Sequence, residues 1–309
     1  MHLTPKEKAQ SAVPRMEETL VILNPSAHSE GAASTRKRIE ELPNCPELSV
    51  TSAAGDARAM AASAVEKGYR TVVAAGGDGT INEVVNGLAG SEVALGILPV
   101  GTMNVFAAEL GLPGDLRKAW EVIQAGHTRR VDLARANEQY FAQLAGVGLD
   151  AQVVQATSWQ FKKNFGPLSY MISAAQIASR KPPRLLVESE GVTREGCFVL
   201  IGNGRYYGGP FPFFKDARID DGKLDVLIFK NLGYLDIARY LATIMMGSHT
   251  AQADVEYFQT REAAVSSDQE VPVEVDGEVV GNLPVRFQIS SRTLRVLVPE
   301  PPVVAPATD

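Results

Sequence analysis

Cysteine is nearly absent from this 309-residue chain: Cys45 and Cys197 are the only two. They form no Cys-x-x-Cys pair, and no neighbouring His or Cys gives zinc spacing. This excludes a cysteine-based zinc site and a disulfide framework, and it fits a reducing cytosol. Long apolar runs are also missing. None reaches the ~18 residues that a membrane-spanning helix needs. The polar stretch from Met1 to Glu18 lacks the apolar segment of a secretion signal. Surplus positive charge is missing too. Lys and Arg number 30 against 36 Asp and Glu, a formal net charge of -6. General nucleic-acid binding needs clustered cations, so nucleic acid is not an expected partner. The basic clusters Arg36-Lys37-Arg38, Arg129-Arg130 and Lys162-Lys163 are short, and the first reads as a solvated helix face. No repeat of solenoid period is present.

What is present is an ordinary globular composition, 45% hydrophobic and 21% charged. A chain this long usually divides into two domains. Residues 1–17 and the proline-rich 301–309 read as flexible tails. From Leu20, short apolar runs alternate with helical patterns. Strands are expected at 20–23, 48–51, 71–75 and 93–98, and helices near 31–42, 55–68, 81–88 and 103–110. Ile81, Val84, Val85 and Leu88 recur at i, i+3, i+4 and i+7, a helical stripe. Such alternation implies a parallel sheet covered on both faces. Past about residue 130 strand-like runs follow one another at 129–135, 139–145, 184–190, 195–202, 223–230, 253–258, 261–267, 271–276, 283–289 and 293–298. Helices are confined mainly to 150–157, 167–179 and 234–247. Consecutive strands of this kind predict an antiparallel sandwich or barrel. The expected division is an α/β domain over 18–131, a candidate for completion by 292–300, and a β-rich domain over 132–291.

The most informative segment is Thr71-Val-Val-Ala-Ala-Gly76-Gly77-Asp78-Gly79-Thr80-Ile81-Asn82-Glu83. A buried strand runs into three glycines and then a helix. In an open α/β sheet, ligands bind beyond the carboxyl ends of the strands. Glycines there admit a phosphate close to the backbone or supply positive φ, and a helix start favours an anion. Alone, Gly-Gly-Asp-Gly is as readily a plain strand-to-helix turn. The pattern gains weight because it recurs. The next strand ends in Leu98-Pro99-Val100-Gly101-Thr102-Met103-Asn104, and the first ends in Asn24-Pro25-Ser26. A GxxxxGK[ST] loop is missing: the only Gly-Lys pair, Gly222-Lys223, is followed by Leu224. Asp276-Gly277 and Asp220-Asp221-Gly222-Lys223-Leu224-Asp225 read, on spacing, as acidic turns.

GGDGT followed by Asn-Glu, then GILPVGTMN, resembles the catalytic domain shared by diacylglycerol kinases, sphingosine kinases and bacterial diacylglycerol-kinase-like lipid kinases, with NAD kinases and phosphofructokinases as more distant relatives. The likeness continues through Val131-Asp132-Leu133, Tyr140-Phe141, Ala145 to Asp150, Phe165 to Tyr170, Ile201 to Gly204, Ala217 to Asp225 and Val275 to Glu278. It covers roughly residues 19–298. It implies a Rossmann-like α/β domain of the phosphofructokinase and NAD-kinase kind, followed by a C-terminal antiparallel β-sandwich. It also implies an ATP-dependent kinase for a lipid hydroxyl, on diacylglycerol or a related lipid alcohol. By the same resemblance, Asn24, Thr51, Gly76, Gly77, Asp78, Gly79, Thr80, Ile81, Asn82, Glu83, Gly101, Thr102 and Asn104 surround the ATP. Asp78 holds Mg2+ or its waters at the triphosphate. The Arg218 carbonyl, Asp221 and the Lys223 carbonyl hold a structural Mg2+. Asp276 is the general base.

The implied enzyme is cytoplasmic, without a transmembrane segment, and visits the inner face of the membrane by peripheral contact; a homodimer is compatible with it. Phe211, Phe213 and Phe214 are candidates for an acyl-chain entrance, and Trp159, Phe161, Lys162, Lys163 and Phe165 for bilayer contact. Two positions depart from the family pattern: Val105 stands where many members carry an acidic residue, and His28 where many carry glycine. The alternatives on the residues are a kinase for a soluble acceptor of the NAD-kinase type and a non-catalytic nucleotide- or lipid-binding regulator.

Overall fold

The computed structural model describes residues 16–25, 32–46, 48–148, 182–209 and 211–300. The expected helices at 150–157 and 167–179, and the segment from Trp159 to Phe165, lie outside the described residues, as does His28.

The first half follows the alternating pattern. Its elements are β1 (Thr19–Leu23), α1 (Ala32–Glu40), β2 (Leu48–Val50), α2 (Asp56–Glu66), β3 (Thr71–Gly76), α3 (Asp78–Leu88), β4 (Ala94–Pro99), α4 (Val105–Glu109) and α5 (Leu116–Ala125). The four strands are parallel in the order β2-β1-β3-β4. Alternate side chains serve opposite faces, as the period of a strand requires. Leu20 and Ile22 join Val72 and Ala74 against Ala57 and Ala61 of α2 and Ile81, Val84, Val85 and Leu88 of α3. Val21 and Leu23 join Val73 and Ala75 against Ile39 of α1 and Leu116, Ala119, Trp120 and Ile123 of α5. Helix α5 was not among the expected helices. Its signals are nevertheless regular: Asp115 caps it by accepting from the Lys118 N–H at 3.0 Å, and Gly126 ends it at φ 73°.

The second half contains β5 (Thr128–Ala136), β6 (Gln139–Phe141), β7 (Leu144–Val147), β8 (Leu185–Ser189), β9 (Val192–Gly196), β10 (Phe198–Gly202), β11 (Tyr206–Tyr207), β12 (Phe211–Pro212), β13 (Leu224–Phe229), α6 (Tyr234–Met245), β14 (Val255–Thr260), β15 (Glu262–Ser266), β16 (Pro272–Val275), β17 (Glu278–Asn282) and β18 (Val285–Leu297). Strands β14-β13-β10-β7-β16-β17 form a six-stranded antiparallel sheet. It packs face to face on β8, β15 and β18. Val147, Val199, Ile201, Val226, Ile228, Val273 and Val275 from one sheet meet Leu185, Val187, Ala263, Val265, Val285 and Phe287 from the other. This is the expected antiparallel sandwich. Helix α6 covers the outer face of β10 and β13 through Tyr240 and Ile244 on Leu200, Leu227 and Phe229.

One strand ties the halves together. Residues 283–289 and 293–298 were expected as two strands, and they form the single strand β18. Its first residues pair with β15, while Arg295 and Val296 pair in parallel with β4. β5 runs antiparallel along it, with a register shift between Ile289 and Thr293. A second difference runs the other way. The expected strand 139–145 is broken into β6 and β7 at Ala142-Gln143, and that break is part of the site described next.

Candidate active site

The carboxyl ends of β1, β3 and β4 lie side by side, and the three reversals meet there. Asn24 donates from Nδ2 to Thr80 Oγ1 at 3.0 Å, joining the end of β1 to the start of α3. The Asn24 N–H bonds the Ala75 carbonyl at 3.0 Å, and the Val100 N–H bonds the Gly76 carbonyl at 3.3 Å. Asp78, the first residue of α3, accepts from the Val105 N–H at 2.7 Å, so its carboxylate caps the neighbouring helix α4. Asn104 closes its own loop. It lies in the left-handed region at φ 49°, accepts from the Gly101 N–H at 3.2 Å and donates to the Gly101 carbonyl at 2.7 Å.

Gly76 and Gly101 are required for space rather than for left-handed backbone. Gly76, Gly77, Gly79 and Gly101 are not among the positive-φ glycines. A Cβ on Gly76 would lie 2.4 Å from Thr80 Cβ, and one on Gly101 would lie 2.4 Å from Gly77 Cα. A Cβ on Gly79 would meet Glu278 Oε1 at 3.2 Å. The two glycine-rich reversals therefore touch backbone to backbone, beside the N-terminus of α3. Thr102 is exposed at this rim.

The remaining expected nucleotide residues are spread around this centre. Ile81 and Asn82 are buried in the first turns of α3. Asn82 Oδ1 accepts from Asn86 Nδ2 at 2.6 Å. Thr51 is buried at the end of β2, its N–H on the Leu23 carbonyl at 2.9 Å. Glu83 turns away from the loop. Its carboxylate accepts from the N–H groups of Gly55 at 2.9 Å and Ala57 at 3.0 Å, at the start of α2.

Asp276 occupies the turn between β16 and β17. It has φ 47° and Gly277 φ 87°, the left-handed pair of a tight hairpin. The turn and a chemical role are not exclusive, because the carboxylate is aimed inward. Oδ2 accepts from the Ala142 N–H at 2.9 Å, and Oδ1 from Gln143 at 3.1 Å and Leu144 at 2.9 Å. Breaking the strand at Ala142-Gln143 presents three successive amides to one carboxylate, a compact anion nest. Buried Asn203 braces that break, donating to the Ala142 carbonyl at 2.8 Å and the Asp132 carbonyl at 3.0 Å.

Although Asp276 keeps some exposed surface, its carboxyl group is packed round by protein. Desolvation pushes its pKa up to about 6; the three amides oppose the rise, and the charge of Asp78 adds to it. Burial raises Asp78 as well, against the α4 amides. Glu278, an exposed residue after the turn, is raised by desolvation first and then by Glu83 and Asp276. In the sequence, Glu278 stands out only as the end of the block Val275 to Glu278. A carboxylate two residues beyond a candidate base, folded back by the hairpin toward Gly79, is the signal that could have singled it out.

The second acidic turn lies apart from these loops. Asp221 Oδ1 accepts from the Lys223 N–H at 3.1 Å, and Asp132 Oδ2 accepts from the Gly222 N–H at 2.7 Å. The Arg218 carbonyl accepts only a long contact, 3.4 Å, from the Asp221 N–H. Desolvation raises both Asp132 and Asp225, and the charge of Asp221 adds to each. Asp225 Oδ2 is buried without a hydrogen-bond partner among the described residues. Among the described residues no group of three or more His, Cys, Asp or Glu side chains is arranged to hold a metal ion. Any ion here would rest on one carboxylate and backbone carbonyls.

Comparison with known proteins agrees with the geometry. Residues 18–136 match the diacylglycerol kinase catalytic domain, and residues 143–298 match the YegS C-terminal NAD kinase beta sandwich-like domain. A diacylglycerol kinase of Staphylococcus saprophyticus is 34% identical over 254 residues, 81% of this chain and 83% of the relative. One from Staphylococcus haemolyticus is 33% identical over 251 residues, 80% of this chain and 76% of the relative. The crystal structure of a diacylglycerol kinase from Bacillus anthracis str. Sterne superposes with a TM-score of 0.75 at 26% identity, covering 93% of this chain and 98% of that one. With both halves matched and the sheet ends converging as described, the chain belongs to the diacylglycerol-kinase-like family of lipid kinases, phosphotransferases whose acceptor is an alcohol group.

Proposed function

We propose that the protein transfers the γ-phosphate of ATP to a hydroxyl of diacylglycerol or a related lipid alcohol, where the glycine-rich reversals face Asp276. The observation that carries this reading is the inward carboxylate of Asp276. It is held by three amides and is close enough to Asp78 for their charges to interact.

The chain supplies a fitting cradle for the triphosphate. Gly76, Gly77, Gly79 and Gly101 leave the backbone uncovered, the N–H groups in the first turn of α3 favour an anion, and Thr102 offers a hydroxyl. Asn24, Thr51, Thr80, Ile81, Asn82 and Asn104 shape that rim, and Glu83 steadies it through α2. Asp276 accepts the proton of the lipid hydroxyl as it attacks. A base whose pKa lies near 6 is mostly ionised at pH 7 yet still basic enough to take a proton, help worth ~10²–10⁴ in rate. Phosphoryl transfer otherwise depends on alignment and charge compensation.

Mg2+ would supply charge compensation at the triphosphate, with Asp78 the nearby carboxylate. At the second turn, Asp221 with the Arg218 and Lys223 carbonyls would hold a structural Mg2+. The clustered charge of Asp132, Asp221 and Asp225, only partly offset by Arg261 at Asp132, fits a cation there, and among the described residues Asp225 Oδ2 has no hydrogen-bond partner.

Contact with a lipid surface is supported by α6 and its C-cap, which expose Leu235 (87%), Met245 (76%) and the capping Met246 (71%). Such a patch spans roughly a few hundred Å², less than the ~800 Å² per partner that a stable dimer buries. No helix among the described residues is long and apolar enough to cross a membrane.

The test is mass spectrometry of a membrane lipid extract incubated with the purified protein and ATP. One lipid class should gain a phosphate. ATP binding without any phosphorylated lipid, or transfer to NAD instead, would overturn the proposal.

A further inference from the structure

A cleft of about 450 Å³ opens between β5–β6, the start of β15 and the middle of β18, lined by Arg135, Arg261 and Arg292 with Tyr140, Ser290 and Ser291. It is not the proposed active site, since none of its lining residues belongs to the glycine-rich reversals. It lies beyond the opposite end of α3, a helix ~16 Å long. There Arg292 Nη1 donates to the Ala89 carbonyl at 3.2 Å.

The charge in this cleft is poorly balanced. The one carboxylate among its described lining residues, Glu262, is paired with Arg286 at 3.0 Å. Arg135 has only Glu138 as an ion-pair partner among the described residues, at 3.9 Å with that side chain 95% exposed. Arg135 Nε is shut off from solvent and has no hydrogen-bond partner among the described residues. Arg261 makes no ion pair within 4.0 Å among the described residues, and its charge is offset only at longer range, by Asp132 beside the Gly222 turn. The Arg135 and Arg292 guanidinium carbons stand 6.0 and 5.9 Å from the Tyr140 ring centre, so one ring positions both.

The backbone is shaped to the same end. The register shift between Ile289 and Thr293 takes Ser290, Ser291 and Arg292 out of regular pairing with β5. The Arg292 N–H bonds Ser290 Oγ at 2.9 Å. A bulge of this kind re-aims a side chain; here Arg292 is turned into the cleft beside two hydroxyls. Two guanidinium groups gathered on one ring, with a third arginine lining the same cleft, repel one another unless an anion joins them.

We propose that this cleft binds a phosphate group, either free or as the monoester headgroup of an anionic lipid. Arg135, Arg261 and Arg292 supply planar donors suited to a tetrahedral oxyanion, and Ser290 and Ser291 supply hydroxyls. The site sits where β18 passes from its β15 pairing to its β4 pairing. A bound anion therefore bridges Arg261 of the sandwich and Arg292 at the end of α3.

The test uses the full chain saturated with a non-hydrolysable ATP analogue and Mg2+, so that the glycine-rich rim is filled. Inorganic phosphate is titrated calorimetrically. In parallel, the protein is sedimented with phosphatidylcholine vesicles with and without phosphatidate. The comparison is wild type against Arg261→Gln/Arg292→Gln, with Arg184→Gln as the exposed-arginine control. Loss of at least ~tenfold in phosphate affinity only in the double variant supports the site with a free-phosphate source. The same loss seen only with phosphatidate vesicles supports the lipid-headgroup source. Arg261→Gln alone, at an exposed position, serves if the double variant melts early. Indistinguishable binding of both probes by wild type and variants of equal melting temperature overturns the proposal.

Discussion

Replacing Gly101 by alanine should separate the two glycine-rich reversals. Its Cβ would lie 2.4 Å from Gly77 Cα, 2.9 Å from Asn104 Oδ1 and 3.2 Å from Gly77 N. Carbon atoms in contact sit ~3.5–4.0 Å apart, so the loops must part by about 1 Å. The obstacle is backbone, which cannot rotate aside as a side chain can. Overpacking of this kind costs ~1–3 kcal/mol, roughly 5- to 150-fold in an equilibrium constant.

Gly77→Ala gives the complementary case. Its Cβ would meet Gly101 Cα at 3.5 Å, an ordinary contact, and Gly77 has φ -90°, which any residue adopts. The new methyl instead occupies the space into which a phosphate is expected to settle. Equilibrium binding of a fluorescent ATP analogue and the melting temperature distinguish the two effects. Gly101→Ala should lose both stability and affinity, while Gly77→Ala should keep its melting temperature and lose affinity. Gly114→Ala, with nothing within 4 Å, should change neither. Wild-type nucleotide affinity in both Gly77→Ala and Gly101→Ala would refute the reasoning.

Five further outcomes follow from the same geometry. The acid limb of kcat/KM should have its midpoint near pH 6 and vanish with the residual activity of Asp276→Asn; a midpoint near 4 would contradict the burial of that carboxyl. Because the folded pKa of Asp276 is raised, wild type relative to Asp276→Asn should lose stability as pH rises from about 4 to about 6, by up to ~3 kcal/mol in denaturant titrations. Glu83→Ala should lower the melting temperature by about 2–4 °C, through ~1 kcal/mol of lost α2 capping, and an unchanged melt would show that the cap is dispensable. Asp221→Ala should abolish Mg2+-dependent thermal stabilisation measured without nucleotide, and Leu235→Glu/Met245→Glu should weaken vesicle co-sedimentation without altering ATP affinity.

The parallel half was legible because β1, β3 and β4 are buried on both faces and read as unbroken apolar runs. The stripe Ile81, Val84, Val85 and Leu88 likewise has only one amphipathic reading. Helix α5 has an equally regular stripe in Leu116, Ala119, Trp120 and Ile123, with a cap at Asp115 and a stop at Gly126, so its signals were present in the sequence although it was not among the expected helices. The β18 crossing was only partly legible: Ser290-Ser291-Arg292 look like a break between strands, whereas long-range pairing with β5 carries the strand through. The same holds for Ala142-Gln143, a true break inside an apparently continuous run. Its purpose shows only when Asp276, far along the chain, arrives to accept three amides. Phosphate-friendly glycines were visible in the sequence, but their physical reason was not. Contacts such as Gly77 against Gly101 depend on the adjacency of β3 and β4, and no local rule contains that adjacency.

The most direct measurement is a structure of the protein with Mg2+ and a non-hydrolysable ATP analogue. The phosphates should lie along Gly76–Thr80 and Gly101–Asn104 at the start of α3, with the terminal phosphorus facing the Asp276 carboxylate across a gap wide enough for one hydroxyl. A nucleotide bound elsewhere, or one whose terminal phosphate points away from Asp276, would contradict the account.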